Sequence, residues 1–278
     1  MRLRKFPVSA IYPATQHRNF SVFPIAAFND NYIWCIQPAA STLVWVVDPG
    51  DAVPVMEVLQ QKQLQLAGIL ITHHHRDHTG GINQLLRHFG QQTPVYGPDN
   101  PAIDSISHPF HEEGQYQLTA DNSELSLQLY QVPGHTLDHL AYVIDDALFC
   151  GDTLFCAGCG RLFEGSAAQL YSSLQKIAKL PQDTKIYPAH EYTLSNLKFA
   201  AIAEPDNQAL ISFTEQAQQT RQLQLPTLPS TVARELAINP FLHCDDERLV
   251  AVLSQHWQTV ADSAVTRLKL LRQWKDNY

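Results

Sequence analysis

One short run constrains this chain more than any other: Thr72-His-His-His-Arg-Asp-His78, set directly behind the apolar stretch Leu66–Ile71. An apolar run of that length, rich in branched residues, predicts a buried strand. Binding and reacting side chains favour loops at the carboxyl ends of such strands. Several desolvated imidazoles are costly without a partner for their lone pairs, so the run predicts a metal site. In an extended segment alternate side chains share a face. His73 and His75 can therefore converge on one ion while His74 points elsewhere. Asp77 and His78 lie past the bend, toward the next helix, and suit a second ion.

Three more donors follow strand-like runs: His135 after "LQLYQVPG", Asp152 after "ALFCG" and His190 after "TKIYPA". The count then closes. His73, His75 and His135 serve one metal; Asp77, His78 and His190 serve the other; the two carboxylate oxygens of Asp152 bridge them. A shared water or hydroxide completes the pair and leaves a position open for substrate. His74, Arg76 and His139 are expected to be exposed or to stand behind the ligands. His17, His88, His108, His111, His243 and His256 fall in no pattern. Asp48, in "VDPGD", either supports the histidines from behind or only shapes a turn.

Composition narrows the class. With 278 residues, 45% hydrophobic, the chain has material for a large domain and a smaller one. A net charge of -8 argues against a nucleic-acid or membrane-surface binder. No apolar run approaches a membrane span, and the basic start lacks the apolar core of a signal peptide. Five cysteines, an odd number, are expected as reduced thiols, which suggests the cytoplasm. Cys156-x-x-Cys159 has redox or zinc spacing but no second pair.

Strand-like and helix-like segments alternate over the first two-thirds. "NYIWCI" and "STLVWVV" predict a hairpin, "AVPVMEVLQQ" a helix, and Ile82, Leu85, Leu86 and Phe89 another. "PVYG", "LSLQLYQV", "LAYVID", "ALFCGDT" and "TKIYPA" predict strands, with a helix at about 167–179. This is layered α/β architecture. After Thr193 there is no glycine and no clear strand. A smaller all-helical domain is expected, broken once at "LPTLPS", where Ser230 is placed to cap the next helix.

"THHHRDH" with "PGHT", "GDTLF" and "PAHEYT" resembles the metallo-β-lactamase superfamily. "FNDNYIW", "VVDPGD", "GDTLFCAGCGRLFEG", "AHEYTLSNLKFA" and the terminal "RQWKD" narrow the resemblance to glyoxalase II, the hydroxyacylglutathione hydrolases, over Phe23 to Tyr278. The resemblance implies a four-layered αββα sandwich at 23–193, a helical substrate-binding domain at 194–278 and an extension at 1–22. It implies hydrolysis of S-D-lactoylglutathione to D-lactate and glutathione, the second step of methylglyoxal detoxification. Two divalent ions are implied, zinc first, with iron or manganese as alternatives. It also implies that Arg161, Tyr192, Arg272 and Lys275 grip glutathione, with Phe163 in the same wall. Two departures stand out: Phe163 replaces a tyrosine of some members, and Asp138 a common glycine. Arg272 and Lys275, three apart on one helix face, suit anionic glutathione.

Such a centre would lower the pKa of a bridging water, with Asp77 both ligand and orienting group. The chain is expected to act as a monomer on a small-molecule thioester, with no nucleic-acid or membrane partner. One rival is a glutathione persulfide dioxygenase with a single iron. Another, of a different class, is a non-catalytic binder of glutathione conjugates with structural zinc. Structural zinc sites are typically closed, which disfavours the second. A flavodiiron reductase would need Glu in place of His75, and a nuclease a basic surface.

Overall fold

The computed structural model describes residues 12–120 and 123–278. These form two compact units, one of residues up to 131 plus 138–151, the other of 132–137 plus 152–278.

In the first unit a seven-stranded sheet runs in sequence order: β1 (Thr15–Gln16), β2 (Phe20–Ala27), β3 (Asn31–Pro38), β4 (Leu43–Val47), β5 (Gln65–Leu70), β6 (Val95–Pro98) and β7 (His108–Phe110). β2 to β4 are antiparallel, with Cys35 opposite Val46, as the hairpin pattern predicts. From β4 to β7 the pairing turns parallel. Parallel neighbours need a crossover, supplied between β4 and β5 by α1 (Ala52–Lys62). Asp51 caps α1 by accepting from the Val53 amide at 3.0 Å. After β5 come a single turn, α2 (Arg76–Thr79), and α3 (Ile82–Phe89).

The apolar faces of α1 and α3 cover the sheet, joining Val55, Leu59, Ile82 and Leu85 to Ile25, Val46 and Ile69. Each such side chain contributes roughly 1.5–3 kcal/mol by its burial. An antiparallel meander follows: β8 (Gly114–Ala120), β9 (Ser123–Gln131), β10 (Leu140–Ile144) and β11 (Ala147–Gly151). It is tied to the end of β5: the Tyr142 hydroxyl donates to the Ile71 carbonyl, and the Leu140 amide to Thr72 O at 2.8 Å. The backbone entering the histidine run is therefore fixed. β1 and the first residues of β2 fall inside the segment 1–22 that the resemblance leaves outside the family; residues 1–11 lie outside the described residues.

The second unit holds a small hairpin, β12 (Leu154–Phe155) and β13 (Gly158–Cys159), then α4 (Ala167–Ala178), β14 (Lys185–Pro188), α5 (Thr193–Ala203), α6 (Gln208–Gln222), β15 (Ser230–Thr231), α7 (Val232–Ile238), α8 (Arg248–Trp257) and α9 (Ala264–Asp276). α4 opens with a reciprocal capping box between Ser166 and Gln169. It packs against α7 and α9.

Two local expectations are corrected. A strand does occur after Thr193: β15 pairs with β14, too short to show a pattern in sequence. The cap of α7 is Thr231, accepting from the Arg234 amide at 3.1 Å, and not Ser230. The Ser230 hydroxyl is committed to the buried carboxylate of Glu235. Among the described residues no helix is long and apolar enough to cross a membrane.

Candidate functional site

In the first unit, the turn "VDPGD" and the run after β5 form one construction. Asp48 stands at φ 54°, in the left-handed region, which costs a non-glycine residue free energy unless other contacts hold it. Here its carboxylate holds it. One oxygen accepts from the Thr72 amide at 2.7 Å; the other accepts from the Thr72 hydroxyl at 2.7 Å and bonds His78 Nδ1 at 2.9 Å. Charge-assisted bonds of this kind contribute about 1.5–3 kcal/mol each when buried. Asp48 thus both shapes the turn and supports the histidines. Gly50 is required beside it, because a side chain there would run into the Asp77 carbonyl.

That brace sets the donors. His73 Nδ1 lies 3.0 Å from the Thr72 hydroxyl, and His73 Nε2 3.0 Å from His75 Nδ1. His75 is extended (φ -60°, ψ 145°) and begins α2. The single turn of helix then brings His78 to a ring separation of 4.1 Å from His73. His78 Nε2 stands 3.5 Å from Asp77 Oδ2, and the same Asp77 oxygen accepts from buried Asn31 at 3.1 Å. Asn31, from "FNDNYIW", was not anticipated as a support of Asp77.

The expected non-ligands behave in different ways. His74 bonds Asp138 at 3.1 Å, and Asn100 donates to that carboxylate at 2.7 Å. Asp138, the departure from glycine, thus engages His74. His139 is buried, its ring stacked on His73 at 4.6 Å.

In the second unit, Asp152 stands between two histidines. One oxygen faces His135 Nε2 at 3.5 Å, the other His190 Nε2 at 3.4 Å. His135 is oriented by its Nδ1, 2.8 Å from the Arg161 carbonyl. His190 stacks on Tyr192 at 4.6 Å, nearly parallel. His135 and Asp152 line a cavity of about 650 Å3, and so do Arg161, Phe163, Tyr192, Arg272 and Lys275.

The cavity wall treats its cations unequally. Arg272 is only 3% exposed: Nη1 donates to the Cys159 carbonyl at 2.8 Å, while Nε and Nη2 reach Asp276 at 3.1 and 2.9 Å. Arg161 is mostly exposed, with Asp276 3.5 Å from Nε. Lys275 donates to Asn196 Oδ1. Burial, and then repulsion from Arg272, pull its ammonium down to about 7. Phe163 is 61% exposed and meets the His135 ring edge-on at 5.2 Å.

The hairpin β12–β13 is the backbone of this wall. Asn239 donates to the Phe155 and Gly158 carbonyls at 3.2 and 3.0 Å, Asn196 to Cys156 O at 2.9 Å, and Glu235 accepts from the Ala157 amide at 2.8 Å. Burial pushes the Glu235 carboxyl up, against the hydrogen bonds it accepts. Cys156 and Cys159 sit in this hairpin as free, buried thiols, and burial raises the pKa of both. Asn196, Glu235 and Asn239 were missed from sequence. Only Asn196 left a signal, one helical turn after Tyr192 on the same face.

The donor chemistry fits divalent metal. Imidazole nitrogens and carboxylates are the ligands zinc, iron and manganese take, and His73, His78 and His135 each have the second ring nitrogen held by an oxygen, as ligating histidines do. Asp48 also falls in a group with His73 and His78 of the kind that could hold an ion. The bonds its oxygens make to Thr72 and His78 assign it to holding the ligands.

Comparison with known proteins agrees with these features. Residues 33–190 match the family model of the metallo-beta-lactamase superfamily, and residues 191–278 that of the hydroxyacylglutathione hydrolase C-terminus. A hydroxyacylglutathione hydrolase from Shewanella pealeana is 52% identical over 262 residues, spanning 92% of this chain and 99% of the relative. One from Chromohalobacter salexigens is 48% identical over 93% and 99%. Among solved structures, ETHE1 from Myxococcus xanthus superposes with a TM-score of 0.61 at 20% identity, over 94% of this chain and 100% of that one. The BLEG-1 B3 metallo-beta-lactamase gives 0.58 at 23%, over 80% and 99%. At such identities the likeness is one of fold, the layered α/β sandwich expected from sequence. With relatives about half identical along nearly their whole length, and both parts of the chain matched by family models, the chain belongs to the hydroxyacylglutathione hydrolase family of the metallo-β-lactamase superfamily.

Proposed function

We propose that this protein hydrolyses S-D-lactoylglutathione, and S-2-hydroxyacylglutathiones generally, to the 2-hydroxy acid and glutathione in the disposal of methylglyoxal. One observation carries the reading: the donors His135 and Asp152 and the anion-binding groups Tyr192 and Lys275 line the same cavity. A ligand seated on the cations would have its reacting carbonyl carried toward the donors.

In this reading His73, His75 and His135 would hold one ion, Asp77, His78 and His190 the other, and Asp152 would serve both. Zinc is the expected metal, iron or manganese the alternatives. Bound there, the ions would lower the pKa of water and polarise the thioester carbonyl. The chain's own residues do the rest. Lys275 takes a glutathione carboxylate as a point charge, and Arg161 adds positive charge at the exposed rim. Arg272, held by Cys159 and Asp276, lines the same wall and adds its positive charge for the glutathione carboxylates. Tyr192, fixed by its stacking on His190, gives the substrate a rigid face. Asp77, steadied by Asn31, orients the attacking water. Hydrolysis joins the water oxygen to the acyl carbon, breaks the C–S bond and releases thiolate, a leaving group weak enough as a base to need no general acid. Phe163 offers an apolar face at the cavity mouth and no hydroxyl.

The catalytic part is proposed to end near residue 193, with the helices from 194 onward supplying Arg272 and Lys275. The protein is proposed to act in the cytoplasm as a monomer, without nucleic-acid or membrane partners. The test is loss of thioester absorbance with lactoylglutathione, alongside metal analysis and oxygen uptake with glutathione persulfide. Turnover of the thioester without oxygen uptake is expected. No turnover by fully metallated protein would sink the assignment.

A further inference from the structure

We propose that Asn196 is a positioning residue for substrate capture: its side-chain amide holds the Lys275 ammonium in the cavity and keeps it charged for the glutathione carboxylate. This rests on the hydrolase reading above and names a residue that reading does not require. Three observations carry it. Asn196 is buried, and its Nδ2 donates to the Cys156 carbonyl at 2.9 Å. An amide pinned at nitrogen by a carbonyl must present its oxygen on the other side, and that oxygen accepts from Lys275 Nζ. Position 158 is glycine, and a β-carbon there would lie 2.6 Å from Asn196 Nδ2 and 2.8 Å from Lys275 Nζ. The hairpin thus leaves a slot that these two groups fill together.

The surroundings explain why the ammonium needs such a partner. On its own helix it faces Arg272, which repels it, and Asp276, which attracts it but is engaged by Arg272. From the hairpin it faces the neutral thiol of Cys159, from the following loop Arg161, and from the 239–247 segment the ring of Phe241 at 5.6 Å. Among these, the Asn196 oxygen is the neutral acceptor that favours the charged form. With the ammonium poised near 7, a change in that one acceptor changes how much of the lysine is charged at neutral pH.

The experiment compares Asn196→Ala and Asn196→Asp with the natural metal-loaded protein from about pH 6 to about pH 9. Glutathione binding is followed by calorimetry, and KM and kcat with lactoylglutathione. Glutathione binding is expected to weaken as pH rises through about 7. Asn196→Ala should move that loss to lower pH and raise KM by roughly tenfold near neutrality, with kcat little changed, as loss of one charge-assisted contact predicts. Asn196→Asp should move the loss to higher pH, because a carboxylate favours the ammonium. A folded Asn196→Asp protein with an unshifted profile would overturn the proposal, as would a fall in kcat at constant KM. Should the alanine variant fail to fold, the isosteric aspartate decides. Failure of the hydrolase reading would show separately, as absent turnover in the natural protein.

Discussion

In the first compact unit, His73, His75, Asp77 and His78 come from six consecutive positions and are held from behind by one carboxylate, Asp48. In the second, donors and cations are drawn from positions as far apart as His135 and Lys275; Arg272 donates to a carbonyl of the β12–β13 hairpin, whose backbone is pinned by Asn196, Glu235 and Asn239. The first design is local: a strand end and one helical turn set the geometry, and a single buried hydrogen-bonding group fixes it. The second is assembled from α5, α7, α9 and the β12–β13 hairpin. It stands or falls with the packing of the helices. Metal affinity should therefore respond to substitutions behind the donors of the first, and substrate affinity and helical stability to substitutions behind the cavity wall of the second.

The largest effect is expected at Asp152, the residue proposed to serve both ions. Asp152→Ala should strip both metals together and abolish turnover; retention of one metal, measured by elemental analysis, would contradict the bridging role. Next, Asp48→Ala should weaken metal binding by about 10–100-fold, as removal of a ligand-orienting group does, with little change in glutathione affinity. A KM effect without a metal effect would break the comparison.

Glu235→Ala should do the reverse. It leaves the Ala157 amide without its carboxylate acceptor and costs Asn239 and Ser230 a partner, a loss of roughly 3 kcal/mol. Denaturant unfolding should show that loss, with KM raised and metal content retained in the folded fraction.

The smallest effect is at His243. Burial opposes its charge, but Glu204 at 2.6 Å and the Leu236 carbonyl at 2.7 Å draw both ring N–H groups, so its pKa lies above the ordinary histidine value. A raised folded pKa means the contribution is complete below about 6.5 and is lost as pH rises through the folded value. The natural protein should lose thermal stability across that range, and His243→Gln should flatten the dependence. An unchanged slope in the variant would remove His243 as the cause.

The sequence made the clustering of His73, His75, Asp77 and His78 legible because spacing is a short-range property: alternate residues of an extended segment share a face wherever the segment is placed. The same reasoning found α1, α3, α4 and α9, whose apolar periods are internal to each element. It misjudged β15, since two residues have no period, and gave the cap of α7 to Ser230 because the buried Glu235 that claims that hydroxyl is five residues away across the turn. It put Arg272 and Lys275 on one face but treated them alike. Their difference lies in their partners: Arg272 answers a carbonyl and a carboxylate, Lys275 an amide oxygen.

By itself, then, the sequence determined the layered α/β class, the donor types and the family, because periodicity and spacing are written in neighbouring residues. Only the tertiary structure decided that Asp48 braces Thr72 and His78, that Asn31 steadies Asp77, and that Asn196 meets Lys275 over a glycine. Those pairings join residues far apart in the chain, and hydrogen bonds and burial act through space.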